Sequence, residues 1–367
     1  MGKRVIIVDF NHMAHTYINS GHRLSKTVVI NGVPQTVDTT VQSGTIKAIH
    51  RWSNHGSNPT AVCFDSPVPA RKAYFAKNFD MGVDGDDAYK GRRVAMSGDL
   101  FDAIGMVKDI LVSAGVSCYK AHNYEADDLI FACVQRAKKD YPDLPIDVIT
   151  NDADLLPLVD DQVSVFLRSK KGSWAESKDI EKAHYIQVTP MNYQAVVEDL
   201  SSYRKFSIPY NSLLLHKLLR GDSSDNIKSV KKRFPPKKYN ALIEELLNKG
   251  FDLSKLFRYG ECRKSYVSIS SGEVVDESHD KNDLAIKYND PQELVDMIDV
   301  LCWYIDDEEV IAHIKKMYRG MNLNQAYTGL GNISRKPAEL KSPISQFNEG
   351  VLQSKLVPLD IRLKLNT

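Results

Sequence analysis

The run Asn123-Tyr124-Glu125-Ala126-Asp127-Asp128 sets three carboxylates within four residues, and an apolar stretch (Leu129, Ile130, Phe131, Ala132, Val134) follows at once. That pattern predicts the first turn of a partly buried helix, with Asn123 as its N-cap. Glu125 and Asp128 are three apart and share a face, while Asp127 projects to one side. One acid in a first turn needs no explanation beyond the helix dipole. Three repel one another unless a cation lies between them. Grouped carboxylate oxygens are the donor set of a hard divalent metal.

Further acids stand where apolar runs end. Val5-Ile6-Ile7-Val8 stops at Asp9, Ala61-Val62-Cys63-Phe64 at Asp65, and Pro145–Ile149 leads into Thr150-Asn151-Asp152-Ala153-Asp154. Continuous β-branched runs predict strands buried on both faces, as in a parallel sheet. Val116–Tyr119 and Val163–Leu167 add two more. Between them, residues 39–54 carry Val41, Ile46, Ile49 and Trp52 at helical spacing, and residues 94–113 carry Leu100, Ile104, Val107 and Leu111. Alternating strands and helices predict a three-layer α/β domain with a mostly parallel sheet. Ligands of such sheets bind beyond the carboxyl ends of the strands. Asp9, Asp65, Asp152 and Asp154 lie at that edge, with Glu125, Asp127 and Asp128 one short loop past it. Seven carboxylates from four distant segments are therefore expected to converge.

A chain of 367 residues has room for two or three domains. No apolar run is long enough to span a membrane, and the run after Lys3-Arg4 is too short for a signal peptide. The five cysteines never stand in a CxxC spacing, which argues for a reducing, cytoplasmic setting and against a zinc or disulfide framework. The ten histidines show no ligand spacing, and His12 and His15 read as packed or solvated groups.

The net charge of +1 hides two basic stretches. The first runs from Arg71-Lys72 through Lys77 to Tyr89-Lys90-Gly91-Arg92-Arg93 and interleaves Tyr74, Phe75, Phe79 and Tyr89. Cations offer charge to a phosphate backbone and aromatics offer π faces to bases, so Arg71, Lys72 and Tyr89 become candidate single-strand contacts. Phe75 and Phe79 fit an inward-facing role at least as well. The glycine-rich acidic stretch 81–87 reads as a mobile loop. The second basic stretch, Lys217 to Lys238, holds eight basic residues against two acids, Asp222 and Asp225. Lys228, Lys231, Lys232 and Arg233 at its centre are candidate phosphate contacts.

In order and spacing, Val8-Asp9, Phe64-Asp65, Tyr89-Lys90-Gly91-Arg92, Glu125-Ala126-Asp127-Asp128, Thr150-Asn151-Asp152-Ala153-Asp154 and Gly221-Asp222-Ser223-Ser224-Asp225-Asn226 resemble the bacteriophage-type 5′ nucleases of the flap endonuclease superfamily, near the phage ribonuclease H branch. The resemblance covers roughly residues 1–240. It implies a PIN-like three-layer catalytic domain over 1–185 with an arch or gateway at about 67–93, then a helix–three-turn–helix DNA-binding region over 186–250. A helical extension over 251–320 and a flexible tail over 321–367 complete the expected map.

The resemblance also implies a phosphodiesterase using two Mg²⁺ ions, with Mn²⁺ as a substitute. Asp9, Asp65, Glu125 and Asp128 would belong to the first ion. Asp127, Asp152, Asp154 and Asp225 would stand nearer the second, with Asp222 as a further candidate. Lys90, with Arg92 or Arg93, would approach the scissile phosphate. This chain departs from the pattern at Lys228-Ser229-Val230-Lys231-Lys232-Arg233, where relatives carry a glycine hairpin. Without glycine, close backbone approach is lost. Lysine side chains are expected to replace backbone amides there, and no potassium site is assigned.

The function so implied is a monomeric, structure-specific 5′ nuclease with 5′-3′ exonuclease, flap endonuclease and ribonuclease H-like action. Its substrates would be DNA and RNA/DNA with 5′ ends or flaps, and its task primer and flap removal in replication. A PIN-like endoribonuclease is one rival; it would lack the Lys217–Lys238 element. A non-catalytic junction-binding protein is another, disfavoured by the full carboxylate set. Ser345-Gln346-Phe347 offers a docking peptide for a sliding clamp or single-strand-binding protein, against the plainer reading of a tail without a motif.

Overall fold

Three apolar runs build the centre. In the computed structural model, β1 (Val5–Asp9), β4 (Thr60–Cys63) and β6 (Ile146–Thr150) are buried at every position. β1 pairs in parallel with both of the others, Ile7 opposite Ala61 on one side and Val148 on the other. Strands with no solvated face have no use for polar alternation, which is why they read as continuous apolar runs. β5 (Ser117–Tyr119) and β7 (Val163–Arg168) extend the sheet in parallel, and β8 (Tyr185–Val188) closes one edge antiparallel to β7. The order is β5-β4-β1-β6-β7-β8. All five predicted strands are present.

The structure describes residues 2–19, 24–30, 33–66, 70–79, 81–82, 84–92, 97–168, 185–200, 202–210, 212–228, 235–248, 264–268, 274–275, 284–288, 312–314, 316–317, 321, 326–329, 332–334, 340 and 342–356. They group into two units. One comprises Met1–Val196, Ser224–Asn226 and Leu323–Thr367; the other comprises Val197–Ser223 and Ile227–Asn322.

In the sheet unit the pleat sends alternate side chains to opposite faces. Ile6, Val8, Val62, Phe64, Ile149 and Phe166 share one core with α1 (Phe10–Ile18), α2 (Thr40–Trp52) and α4 (Gly98–Ser113). No residue of α5 (Ala126–Asp140) enters that core, although α5 packs on β1, β4 and β6, so it covers the opposite face. These are the three layers expected. α3 (Ala70–Phe79) lies in the predicted arch segment.

Four features depart from the sequence reading. An antiparallel hairpin, β2 (Ser25–Ile30) with β3 (Val33–Asp38), precedes α2. β8 and the first residues of α6 (Tyr193–Asp199) cluster with the sheet unit, past the expected boundary at 185. Within 251–320, where a helical extension was expected, the described residues include a sheet of three antiparallel strands: β9 (Lys264–Ser268), β10 (Val274–Val275) and β11 (Leu284–Tyr288). Pro291 to Tyr318, where the sequence sets apolar residues at helical spacing, falls almost wholly outside the described residues. Further on, β12 (Ala326–Gly329) pairs with β13 (Asn332–Ser334).

The fourth departure is the tail. Its last described helix, α9 (Glu349–Leu356), packs on α4, and Ile344, Phe347, Leu352 and Leu356 are buried. Thr60 N–H donates to the Ser345 carbonyl at 3.0 Å, and the Tyr141 hydroxyl to that of Ile344 at 2.6 Å. A segment with four buried apolar side chains is part of the core, not a free tail. Phe347 lies inside it and is not presented as a docking peptide.

The second unit contains α7 (Leu213–Arg220), whose leucines already stand at helical spacing in the sequence, and α8 (Pro236–Asn248).

Candidate metal centre

Asp9 ends β1 and is also the N-cap of α1, so one residue turns the strand into the helix. Its Oδ1 accepts from His12 N–H at 3.3 Å and its Oδ2 from the Thr150 hydroxyl at 2.8 Å. Burial raises the Asp9 carboxyl above its usual range; His12 opposes this, while Asp65 and Asp152 reinforce it. Asp152 caps the 3₁₀ turn Ala153–Leu158 through Asp154 N–H at 2.9 Å, and its own N–H donates to the Thr150 oxygen at 3.0 Å. Thr150 thus ties two acid-bearing strand ends together.

α5 begins with a reciprocal cap. Glu125, not Asn123, is the N-cap, and Asp128 accepts from Glu125 N–H at 3.1 Å. Asn123 takes the left-handed region at φ 71°, turning the chain before the helix. Asp65 accepts from Ala126 N–H at 2.7 Å, which draws the end of β4 onto the same helix start.

Two cations meet these acids, Arg71 buried and Lys90 partly exposed. Arg71 reaches Glu125 at 2.7 Å and Asp128 at 2.5 Å, and Lys90 reaches Glu125 at 2.6 Å. The acids respond differently. Burial pushes Glu125 up, but Lys90 and Arg71 together outweigh it and hold the carboxyl at about 2. Asp128 is completely buried beside Glu125, and this outweighs Arg71, the Glu125 N–H and Lys90, so its carboxyl is raised to about 6. Asp127 is pushed well above the usual range by burial and by Asp152.

His12 answers part of the remaining charge. Its Nε2 lies 3.4 Å from Asp152 and 3.8 Å from Asp9. Burial would lower the imidazole, yet Asp9 and Asp152 raise it to about 10. The expectation that His12 merely packs or is solvated is corrected: it faces two candidate ligands. The i,i+3 spacing from Asp9 was the available signal.

The structure brings Asp9, Asp65, Glu125, Asp127, Asp128, Asp152 and Lys90 together. Carboxylate oxygens of Asp154 and Asp225 lie within 4.8 Å of each other. Asp225 accepts from the Tyr89 hydroxyl at 3.0 Å, and its carbonyl from Lys90 N–H at 3.1 Å. Asn226, quoted in the sequence motif without a role, donates from its side-chain amide to the Asp86 and Ala88 carbonyls at 2.8 and 3.1 Å. Gly91 is required nearby, since a Cβ there would meet the Gly85 carbonyl at 1.9 Å.

Two expected surface contacts are corrected by their burial. Arg71 is 3% exposed beneath the carboxylates, and Tyr89 stacks on Phe75 with ring centroids 4.8 Å apart. Neither offers itself to a base or a phosphate from that position. Asp222 belongs to the second unit, buried in an ion pair with Lys217 at 2.5 Å, which also removes Lys217 from the basic surface. Lys72 pairs with Asp84 at 2.6 Å, and Arg92 and Lys228 are exposed. Arg93, Lys231, Lys232 and Arg233 lie outside the described residues.

Carboxylates collected beyond the carboxyl ends of a mostly parallel sheet define a ligand centre of the open α/β class. Residues 4–187 match the model of the 5′-3′ exonuclease N-terminal resolvase-like domain, half of this chain, and the chain belongs to that nuclease family. It is similar to the thermostable DNA polymerase I of Thermus filiformis, 24% identical over 230 residues, covering 62% of this chain and 22% of the polymerase. DNA polymerase I of Caldicellulosiruptor bescii is 31% identical over 149 residues, 40% of this chain and 15% of that protein. The chain thus spans less than a quarter of either polymerase. Among solved structures, a T5 5′-exonuclease variant aligns with a TM-score of 0.45 at 15% identity, covering 88% of this chain and 89% of that one.

Proposed function

We propose that this chain is a divalent-metal-dependent, structure-specific 5′ nuclease that hydrolyses phosphodiester bonds near 5′ ends and at 5′ flaps. One observation carries the reading. Asp9, Asp65, Asp127 and Asp152 crowd one sheet edge, and burial with mutual repulsion raises Asp9 and Asp127. Arg71 and Lys90 answer Glu125 and Asp128, which leaves His12 as the nearby cation for Asp9 and Asp152. An oxygen-only cluster with excess negative charge fits Mg²⁺ or Mn²⁺.

The residues that would hold such ions are Asp9, Asp65, Asp127 and Asp152, with Asp154 and Asp225 beside them. The chemistry that two divalent ions supply in such a donor set is activation of water and neutralisation of developing charge. The chain's own groups do the rest. Arg71 fixes Glu125 and Asp128 in place, Thr150 orients Asp9, and Lys90 holds a partly exposed ammonium beside the acids. Lys90 and Arg92 would bring positive charge to the phosphate as it reacts. Lys228 with Lys231, Lys232 and Arg233 would bind duplex backbone, and primer or flap removal in replication is the task that suits these parts.

Asp152→Asn preserves the side-chain cap of the 3₁₀ turn while removing one charge. It should lower Mg²⁺-dependent cleavage of a 5′-flap substrate by orders of magnitude and leave flap-DNA affinity nearly unchanged. Near-normal cleavage by this variant, or cleavage by the parent chain in excess chelator, would sink the reading.

A further inference from the structure

A second convergence of ligand atoms lies at the other edge of the sheet. The last turn of α2 carries His50, the turn after the helix carries His55, and the chain then enters β4 at its amino end. Asp9 and Asp65 stand at the carboxyl ends of β1 and β4. α9 begins with Glu349, and its Oε1 lies 2.6 Å from His50 Nε2 and 3.6 Å from His55 Nδ1. The two ring nitrogens are 3.3 Å apart. Three donor atoms from segments 299 residues apart thus form one small triangle.

We propose that His50, His55 and Glu349 form a binding site for a borderline divalent metal of the zinc class, fastening the C-terminal helix to the sheet unit. Two imidazoles and a carboxylate suit zinc, whereas Mg²⁺ prefers oxygen alone. Tetrahedral bonds of about 2.0–2.1 Å place neighbouring donors roughly 3.3 Å apart. Two sides of the triangle already lie close to that length, and the hydrogen-bonded third side needs to open by under about 1 Å. Three protein donors leave a fourth position for water.

The scaffold is built to hold this arrangement. Asn54, His55 and Gly56 are all left-handed, at φ 49°, 59° and 83°. Two consecutive non-glycine residues there cost energy that the surroundings must offset. The Ser53 hydroxyl accepts from Gly56 N–H at 2.9 Å and donates to the His50 carbonyl at 2.8 Å, and His55 N–H donates to that carbonyl at 2.9 Å. A Cβ on Gly56 would meet the Phe347 carbonyl at 2.6 Å, so the turn is fitted to the tail. The rings stand edge to face with centroids 4.4 Å apart, which aims both nitrogens at one oxygen. A plain histidine–glutamate hydrogen bond would need one imidazole, not two.

The site is independent of the nuclease reading, and its test keeps the two apart. Zn²⁺ is titrated calorimetrically into the full chain in excess Mg²⁺, for the parent and for the His55→Gln/Glu349→Gln double variant. Both changed residues are partly exposed, and Glu349→Gln alone serves as a second variant. The parent should bind one more equivalent than the double variant, and each change alone should weaken that site at least tenfold. X-ray absorption of the zinc-loaded parent should show imidazole scattering that the double variant lacks. Zn²⁺ should raise the parent's melting temperature and leave the double variant's unchanged, while flap cleavage in Mg²⁺ stays equal in both. Equal stoichiometry in parent and variant, or zinc held by oxygen or sulfur alone, would overturn the proposal.

Discussion

Arg71 and Lys90 touch the same carboxylate yet are suited to different work. Arg71 is buried across Glu125 and Asp128, whereas the Lys90 side chain keeps 19% of its surface exposed. Removing one partner of a buried ion pair leaves an uncompensated charge and costs about 3–5 kcal/mol. Arg71→Met should therefore lower stability by that order in a urea melt. Lys90→Ala should change stability little, because solvent screens a partly exposed pair. Its single-turnover rate should instead drop on the order of a hundredfold if the ammonium acts on charge developing at phosphorus. Equal stability losses in the two variants would erase the distinction. The carboxylates of this site were legible because Asp9, Asp65 and Asp152 follow apolar runs that end as strands, while Glu125, Asp127 and Asp128 open an apolar helix; both are defined places. Burial of Arg71 was not, since its ion-pair partners lie more than fifty residues away. Thr150 stood inside a recognised motif, but only the fold shows its hydroxyl joining Asp9 to the 152–154 turn.

At the scale of elements, buried parallel strands announced themselves through unbroken β-branched runs. The β2–β3 hairpin did not, although Ile30 pairs with Val33 across an Asn-Gly dipeptide, the pair favoured in two-residue hairpin turns. Helix α7 is legible from the spacing of its leucines, yet its most consequential residue is a histidine. His216 is 5% exposed among Tyr203, Phe206 and Tyr239, with ring centroids 4.6–5.2 Å away, and neither ring nitrogen has a hydrogen-bond partner. Burial, aided by Arg220 and Lys217, lowers it to about 3. The unfolded chain takes up a proton near pH 6.5 and the folded chain does not. Stability therefore holds above that pH and falls as pH drops from 6.5 towards 3. At one pKa unit per 1.36 kcal/mol, the loss at pH 5 relative to pH 7 is about 2 kcal/mol. His216→Phe keeps an aromatic ring and removes the titration. Its urea-melt stability should lose that much less than the parent's between pH 7 and pH 5. Parallel pH profiles for the two chains would show that His216 already has a partner for its proton.

At the scale of the whole molecule, the sequence placed the sheet unit well and its closing segment badly. Residues 342–356 carry Asn, Gly, Ser and Pro among scattered apolar residues, so no period marks them as structured. Their order comes from tertiary contact alone. Ile344, Phe347, Leu352 and Leu356 bury themselves against a core formed some 200 to 300 residues earlier, a relation local periodicity cannot encode. Phe347 tests whether that packing holds the unit together. Truncating a buried phenylalanine to alanine costs about 3–5 kcal/mol, and in a unit of this size each kcal/mol shifts the melting temperature by about 2–4 °C. Phe347→Ala should therefore melt about 10 °C lower. Gln346→Ala, one residue away and exposed, should stay within about 0.5 kcal/mol of the parent, as surface changes usually do. Flap cleavage well below the melting temperature should survive in both variants, since this segment joins the sheet at the amino end of β4, away from Asp9 and Asp65. A tail that serves only as a tether for a partner would give the opposite pattern. Phe347→Ala would then leave the melting temperature untouched, and that result would remove the segment from the folded core.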